Sequence, residues 1–293
     1  MVLYLPFGVR YHTIVWTIPT DCIWEEKNMF QRTLVILAGW LLIGPSAHAE
    51  KTKILLIGKD RDHPFRTHEY MAGCNILGKC LQQTADIETI VSNGWPKDAN
   101  ILEGVDAIVL YTRRGGDVLL ASPARKQVEQ LLKKGVGLTA IHWSTGASKQ
   151  VGEDWLNVLG GWFDRGIGSR LNTTTTLLIR ADPNHPVCRG WTNYNLRDEY
   201  YLDLRFHEKI HPVIQVKLDG KTHTVGWVFE RPDGGRSFGF VCGHFHANFG
   251  EPAFRRAIVN GILWTAHRQV PAGGSPVKIT AKDLELPPPE KKK

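Results

Sequence analysis

Two histidines near the C-terminal end of the chain lie where side chains often do chemistry. In FGFVCGHFHANFGEP, residues 238–252, an apolar run predicts a buried strand that ends at Gly243, and His244 and His246 follow it. Two residues apart, these imidazoles would point to the same side of an extended chain. Such a pair could bind a metal ion, or one ring could transfer a proton while the other holds a substrate. Simple packing, or capping of the following helix, is the alternative.

Three other predicted strands also end in residues that could bind or react. The first strand is followed by Lys59, Asp60, His63 and His68, the third by Tyr111, Arg113 and Asp117, and the fourth by His142, Trp143 and Ser144. Asn248 follows the last strand together with the two histidines. Ligands of an open parallel sheet bind beyond the carboxyl ends of its strands. We therefore expect these side chains to share one edge of the sheet.

The residue types predict separate roles within such a site. We expect His142 and His244 to act as acid, base or ligand, assisted by Glu199 in RDEYYLDL. The residues predicted to bind substrate are Tyr111, Arg113, Asp117, Trp143, His246, Asn248, Asp60 and His63. A divalent metal ion is one option as a cofactor, and its predicted ligands are His142, His244 and His246.

Each of these residues also has a purely structural interpretation. A histidine that ends an apolar strand often does no more than bond a neighbouring loop. Glu199 could form an ordinary salt bridge with Arg197, and aromatic residues such as Trp143 and Tyr111 near strand ends are often core residues.

The first half of the chain predicts alternating strands and helices. Strands are expected at 53–60, 85–92, 104–112 and 136–143, with helices at 68–83 and 122–135. The second helix should have Ser122 as its N-cap, Pro123 at its first position and Gly135 after its end. This order is typical of a doubly wound parallel sheet.

The second half predicts β-rich additions to that sheet. Segments at 170–182, 199–206, 211–218, 221–230 and 236–242 are strand-like, and the last of them should complete the central sheet. Residues 251–268 predict a closing amphipathic helix. From Pro271 onward the content of Pro, Gly and Lys predicts a disordered tail or linker, residues 271–293.

The N-terminal region predicts an export signal. Residues 29–49 contain Arg32, then an apolar run from Thr33 to Gly44, then Ala47-His48-Ala49, which is the pattern of a cleavable signal peptide. We expect residues 1–28 to be a non-native extension, residues 50–270 to form one α/β domain, and the protein to be periplasmic or extracellular. An uncleaved leader that anchors the chain to a membrane is the alternative.

Composition and motifs argue against several classes of protein. The net charge is +7, but the tail EKKK supplies part of it and the other basic residues are scattered, so no nucleic-acid partner is expected. The chain lacks GxGxxG after the first strand, a phosphate-loop motif in YTRRGGD, and the glycine that a nucleophile elbow needs before Ser144. The cysteines of the domain form no CxxC and are expected to be buried thiols: Cys74, Cys80, Cys188 and Cys242.

Six segments together resemble ThuA-like (trehalose-utilisation) proteins. They are YTRRGGD, GVGLTAIHWSTGA, WLNVLGGWFDRG, RDEYYLDL, VGWVFE and GFVCGHFHANFGEPAFRRAIVNGILW, in this order within residues 52–268. The resemblance implies a flavodoxin-like fold related to class I glutamine amidotransferases, in which a Cys nucleophile follows the strand that matches residues 136–142. Here His142-Trp143-Ser144 stands in that place, so thiol-based amide hydrolysis is not expected.

The resemblance also implies a role in the use of trehalose and related disaccharides through 3-keto sugar intermediates. The first hypothesis is an exported enzyme that isomerises, eliminates or hydrolyses a disaccharide or 3-keto-glycoside by histidine acid/base chemistry. The second is a non-catalytic carbohydrate-binding or scaffolding module of a sugar-degrading system. The expected partner is a small carbohydrate. Contact with a membrane is expected only through an uncleaved leader, and the sequence leaves a homo-oligomer open.

Overall fold

The computed structural model describes residues 51–288, so the predicted signal peptide and the extension before it lie outside the described residues. The strands are β1 (Thr52–Gly58), β2 (Ile87–Asn93), β3 (Val105–Leu110), β4 (Gly137–Ile141), β5 (Gly161–Trp162), β6 (Arg170–Arg180), β7 (Tyr194–Leu202), β8 (Arg205–Phe206), β9 (His211–Leu218), β10 (Lys221–Glu230) and β11 (Arg236–Phe240). The α-helices are α1 (Tyr70–Leu81), α2 (Gly115–Leu120), α3 (Arg125–Lys133), α4 (Gly152–Leu159) and α5 (Pro252–Thr265). Between residues 51 and 288, no helix is long and apolar enough to cross a membrane.

A nine-stranded sheet organises the domain, with the strand order β2-β1-β3-β4-β11-β10-β9-β6-β7. The five strands from β2 to β11 run parallel, and the remaining four extend the sheet with antiparallel pairs. The order of the parallel set is that of flavodoxin-like folds. The predicted fold class, a flavodoxin-like doubly wound α/β sheet with β-rich additions in the second half, is confirmed.

Apolar runs explain why the parallel strands lie at the centre. Residues 54–57 of β1 and 107–110 of β3 are completely buried. Such continuous runs suit strands that are covered on both faces. Helix α1 packs against β1, α5 packs against β3, β4 and β11, and α4 packs against β4 and β11. The four cysteines between residues 51 and 288 are buried free thiols, as predicted.

The position of β11 decides where a ligand could bind. This strand follows the whole β-rich region in sequence but pairs with β4 and β10 in space. The carboxyl ends of β1, β3, β4 and β11 therefore meet at one edge of the sheet, and the loops after them lie together.

The helices differ from the sequence prediction in two respects. Helix α3 begins at Arg125 with Ala124 as its N-cap, whereas Ser122 belongs to the preceding turn, where its Oγ accepts a hydrogen bond from the N–H of Ala124 (3.2 Å). The sequence did not predict α2 and α4, which are short. Helix α2 starts with two glycines, which are poor helix formers. A Cβ at Gly115 would lie 2.4 Å from the carbonyl oxygen of Ser144, so close packing explains the glycine.

Residues 271–288 pack against the domain, where the sequence predicts a disordered tail. Val277 is buried, and the guanidinium of Arg255 in α5 donates to its carbonyl oxygen (2.9 Å). A short 3₁₀ helix at Ala281–Leu284 follows, and Lys79 of α1 pairs with its Asp283 (2.7 Å). Specific contacts from α1 and α5 thus order a segment whose composition alone indicates flexibility.

Candidate functional site

His142 occupies the first position after β4, in a tight turn. Its φ of +53° lies in the left-handed region that residues other than glycine seldom adopt, and a 3₁₀ helix at His142–Thr145 follows. The side chain is completely buried, and its Nδ1 lies 2.8 Å from the carbonyl oxygen of Val241. Burial lowers the pKa of His142 well below its usual value, so the ring is neutral at pH 7. Since a carbonyl only accepts, Nδ1 carries the proton and Nε2 presents a lone pair.

His68, in the loop after β1, lies beside the imidazole of His142. Its φ is +49°, and its backbone N–H donates to the carbonyl oxygen of His244 (3.0 Å), which joins the loops after β1 and β11. Its Nε2 lies 3.0 Å from Nε2 of His142 and 3.0 Å from Nδ1 of His244. Burial, reinforced by the neighbouring imidazoles of His63 and His244, lowers the pKa of His68 to about 3.

Glu199 brings a carboxylate to these imidazoles from β7. Its Oε2 lies 3.7 Å from Nε2 of His142 and 3.5 Å from Nδ1 of His244. Burial raises the pKa of Glu199 above its usual value. Each of the four side chains, His68, His142, His244 and Glu199, thus points one ligand atom at a common centre, and all four atoms lie within 4.8 Å of one another. We call these four residues the histidine–glutamate cluster.

Asp62 stands behind His68, on the side away from the cluster. Its Oδ1 lies 3.2 Å from Nδ1 of His68 and 2.8 Å from Nδ1 of His63, and the hydroxyl of Tyr70 donates to it (3.1 Å). Burial alone would raise the pKa of this carboxyl, but hydrogen bonds from His63, Lys59 and His68 lower it to about 2. An ionised carboxylate at Nδ1 favours the proton there and leaves the lone pair of Nε2 facing the cluster.

Asp198 holds the loop that carries His244. Its fully buried carboxylate accepts hydrogen bonds from the backbone N–H of Gly243 (2.8 Å) and of His244 (3.0 Å). The side-chain amide of Asn248 donates to it as well (2.9 Å). Burial raises the pKa of Asp198 to about 7, and these N–H donors act in the opposite direction. Asn248, predicted to bind substrate, therefore orders the loop instead.

Two residues of the cluster, His68 and Glu199, line a cavity of about 270 Å³. Its lining residues are His63, His68, Arg114, Trp143, Phe163, Asp164, Arg165, Leu171, Glu199 and Tyr201. A larger cavity of about 730 Å³ lies at the opposite end of the sheet, beside Val105 and Val136 at the beginnings of β3 and β4. We favour the smaller cavity because ligands of open α/β sheets bind at the carboxyl ends of the strands.

The structure brings together five of the residues that the sequence singles out. His142, His244 and Glu199 belong to the cluster, while His63 and Trp143 line the cavity beside it.

The other predicted substrate-binding residues do not line this cavity. The guanidinium of Arg113 lies over the ring of Trp143 (5.5 Å), and its neighbour Arg114 lines the cavity. Tyr111 is buried and donates to the carbonyl oxygen of Gly243 (2.5 Å). Two carboxylates bind elsewhere: Asp117 accepts from the N–H of Ser148 (2.8 Å), and Asp60 accepts from Nδ2 of Asn93 (2.9 Å).

His246 points away from the cluster, in contrast to the same-side geometry that the sequence predicts. Its Nε2 lies 3.1 Å from the carbonyl oxygen of Leu284 in the C-terminal segment. The extended backbone ends here because a 3₁₀ helix, His246–Gly250, begins at this residue. The third imidazole of the cluster is therefore that of His68, where the sequence predicts His246 as a ligand.

The sequence places His68 after the first strand but indicates no role for it. It does not indicate that Asp62 or Tyr201 belongs to the site. The hydroxyl of Tyr201 lies 3.2 Å from Nε2 of His142, and the two rings stack with centroids 4.7 Å apart. The one sequence feature that could have indicated His68 is its position in the loop after the first strand, the same loop that contains His63. No comparable signal marks Tyr201, which lies within a strand.

The family model for ThuA, described as trehalose utilisation, matches residues 53–265. The chain belongs to the ThuA family. A ThuA-like protein of Bacteroides uniformis is similar in structure, with 14% identity, a TM-score of 0.56, and coverage of 75% of this chain and 94% of that one. A ThuA-like protein of Parabacteroides merdae has 16% identity and a TM-score of 0.57, with 81% and 100% coverage.

A Salmonella typhimurium protein described as cytoplasmic has 16% identity and a TM-score of 0.54, with 73% and 98% coverage. Identities this low show the ThuA fold alone. Comparison with curated proteins gave no match.

In this ThuA domain the turn after β4 presents the imidazole of His142. The cysteines between residues 51 and 288 are all buried. Burial raises the pKa of Cys242, in the loop after β11, well above its usual value, so its thiol stays protonated. The buried thiols between residues 51 and 288 are therefore poor candidates for a nucleophile at this site.

Proposed function

We propose that this ThuA domain is an enzyme that moves a proton beside the keto group of an oxidised disaccharide or glycoside. One observation carries the proposal: three imidazoles and a carboxylate from four separate chain segments meet beside a cavity that His68, Glu199 and Trp143 line. The family description, trehalose utilisation, supports a carbohydrate as the substrate. The cavity of about 270 Å³ is slightly below the range of about 300–1,000 Å³ for pockets that enclose small ligands. A cavity of this size suits one ring of a disaccharide, and the second ring would lie outside it.

The geometry gives different roles to the buried imidazole of His142 and the partly exposed imidazole of His63. His142 is completely buried, with its one proton committed to a carbonyl, so it is poorly placed to exchange protons with a substrate. His63 lines the cavity, its side chain is 34% exposed, and Asp62 orients its Nδ1. We therefore assign the base to His63 and stabilisation of the negatively charged sugar oxygen to Arg114 and Arg165, which line the same cavity.

The proposed step balances without an added oxidant or reductant. Nε2 of His63 takes the proton from the carbon next to the keto group, and the electron pair of that C–H bond moves onto the keto oxygen. The negative charge of the resulting enediolate is stabilised by the guanidinium groups of Arg114 and Arg165, which line the cavity. The hydroxyl proton of the neighbouring carbon then moves to the former keto oxygen, and His63 returns its proton to the former keto carbon, which completes an isomerisation. Alternatively, the electron pair expels a glycosidic oxygen, which leaves with a proton, and this completes an elimination.

Export is part of the same proposal. The pattern of residues 29–49 supports it, and N-terminal sequencing of the protein from its native host tests it. A mature chain that begins near Glu50 is the expected result, whereas a chain that retains residue 29 would contradict cleavage.

A matched pair of variants tests the catalytic role. Asp182 and His211 form a second Asp–His pair, 2.9 Å apart and largely exposed, far from the cavity in the fold. We expect His63→Asn to lower kcat for a 3-keto-disaccharide by about 10²–10⁴-fold, and His211→Asn to leave it unchanged. Products are followed by mass spectrometry with several divalent metal ions present.

Two results would contradict the enzyme. Equal rates for wild type and His63→Asn would remove the proposed base. Calorimetric binding of intact sugar, without any product after prolonged incubation, would instead identify a carbohydrate-binding module.

A further inference from the structure

The spacing of the cluster atoms has the dimensions of a metal coordination shell. With metal–ligand bonds of about 2.1 Å, two ligand atoms lie about 3.0 Å apart at a right angle and about 3.4 Å apart at a tetrahedral angle. The observed separations are 3.0 Å from His68 to His142, 3.0 Å from His68 to His244, and 3.5 Å from His244 to Glu199. The separation from Glu199 to His142, 3.7 Å, is only slightly longer, and the other two of the six separations are at most 4.8 Å.

The outward-facing nitrogens of His68 and His142 already have partners that leave lone pairs at the centre. Nδ1 of His142 donates to the carbonyl of Val241, and Nδ1 of His68 faces the carboxylate of Asp62. Carboxylate or carbonyl partners on the far nitrogen are the arrangement that orients metal-binding histidines and fixes their tautomer. Both histidines also have left-handed φ values, a strain that persists where the surrounding structure and function require it.

We propose that His68, His142, His244 and Glu199 bind one divalent transition-metal ion of the zinc class. Three imidazole nitrogens and one carboxylate oxygen are donors that suit Zn²⁺, Co²⁺, Ni²⁺ or Mn²⁺. Glu199 and the nearby Asp62 supply negative charge against the cation. Because His68 and Glu199 line the cavity, one side of the ion faces it.

The role of the ion rests on the proposed function, but its binding does not. When bound, it would polarise the keto oxygen of the sugar and stabilise the negative charge that develops there. In this arrangement the cluster residues hold the ion, and His63 handles the proton.

The rival to a metal ion is a shared proton. If Tyr70 donated to Nδ1 of His68 (2.7 Å), the proton of His68 would move to Nε2 and lie between the two other imidazoles. One N–H cannot point well at two acceptors, and Nδ1 of His68 would then face the Asp62 carboxylate without a proton. The geometry favours the metal ion for this reason.

Metal binding is measured on the full chain after removal of any polyhistidine tag and exhaustive dialysis against a chelator. Zn²⁺, Co²⁺, Ni²⁺ and Mn²⁺ are each added alone, and bound metal is counted by mass spectrometry and calorimetry. We expect one equivalent of Zn²⁺ or Co²⁺ per chain, with a visible Co²⁺ spectrum typical of nitrogen and oxygen ligands.

The variants Glu199→Gln and His244→Ala keep the most buried ligands, His68 and His142, in place, and circular dichroism checks that they fold. We expect each to weaken binding at least about 100-fold, while His211→Ala binds as the wild type does. Wild-type protein that takes up none of the four ions, or binding that Glu199→Gln and His244→Ala leave unchanged, would overturn the proposal.

The metal site and the proposed function can fail separately. One tightly bound ion without turnover of keto-sugars would leave the metal site standing and remove the enzyme. Turnover by chelator-treated protein that contains no metal would leave the enzyme standing and remove the ion.

Discussion

The carboxylate of Asp198 in β7 accepts a hydrogen bond from the backbone N–H of His244, which lies 46 residues later in the chain (3.0 Å). The next residue in β7, Glu199, points its carboxylate at the imidazole of the same histidine (3.5 Å). Two consecutive residues of the β-rich addition thus position one loop of the parallel sheet. The addition is therefore part of the site and not a peripheral decoration.

Replacement of Asp198 should loosen this loop. Asp198→Asn puts an amide N–H₂ where the N–H groups of Gly243 and Asn248 now donate to the same carboxylate oxygen. We expect a loss of about 2–4 kcal/mol in the free energy of unfolding, measured by urea denaturation, because buried donors lose their acceptor. Asp182→Asn, at a half-exposed carboxylate, serves as the control with a loss under about 0.5 kcal/mol. Equal stability of the two variants would show that Asp198 does not hold the loop.

Asp62 should tune the cluster without binding the ion itself. Asp62→Asn removes the charge beside Nδ1 of His68 (3.2 Å) and keeps the size of the side chain. We expect Zn²⁺ affinity, measured by competition with a chelating dye, to fall about 10–100-fold. Asp182→Asn changes the carboxylate of a comparable Asp–His pair and should leave the affinity unchanged. A Zn²⁺ affinity of Asp62→Asn within twofold of the wild-type affinity would show that Asp62 does not orient His68 for metal binding.

His185 predicts a pH dependence of stability that is independent of the site. Burial, with the nearby His211, lowers the pKa of His185 to about 4, and its Nδ1 accepts the N–H of Val187 (3.2 Å). Because the folded pKa lies below the unfolded value of 6.5, this contribution to stability is complete above about pH 6.5 and is lost as the pH falls toward 4.

His185→Asn keeps an oxygen that can accept from Val187 but does not titrate. Between pH 7.5 and pH 5 we expect the wild type to lose about 1 kcal/mol more than this variant, after allowance for partial solvent screening of the ring. The two unfolding curves are measured at both pH values in the same buffer ions. Parallel losses for the two proteins would contradict the assignment.

The C-terminal segment should resist proteolysis in the native protein. Lys278 and Lys282 are exposed, but the backbone around them is fixed by Gln83 (Lys278 N–H to Oε1, 3.0 Å) and by the capping box at Thr280. We expect trypsin to cut here only at the rate of global unfolding. Cleavage at Lys278 or Lys282 as fast as in an unfolded peptide would show that this segment is disordered in the native protein, as the sequence predicts.

The central sheet could be predicted from the sequence because its strands are continuous apolar runs with clear turn signals. The sequence also predicts that His142 and His244 share one site, since strand ends of a parallel sheet share an edge. It placed Glu199 there by residue type alone, and only the pairing of β6 with β7 shows how that carboxylate arrives.

His68 and His246 could not be assigned in the same way. The position of His68 depends on the loop after β1 folding back onto the loop after β11, through the contact between Thr67 and Phe245. His246 turns away because a 3₁₀ helix begins where an extended chain was assumed. Both outcomes depend on contacts between distant segments, which residue spacing does not encode.

A crystal structure of the protein with Zn²⁺, with diffraction data on both sides of the zinc absorption edge, tests the central claim most directly. The metal proposal predicts one strong anomalous peak about 2.1 Å from Nε2 of His68, Nε2 of His142, Nδ1 of His244 and a carboxylate oxygen of Glu199. A map without a peak among these four side chains, while zinc occupies other histidines such as His211, would contradict it.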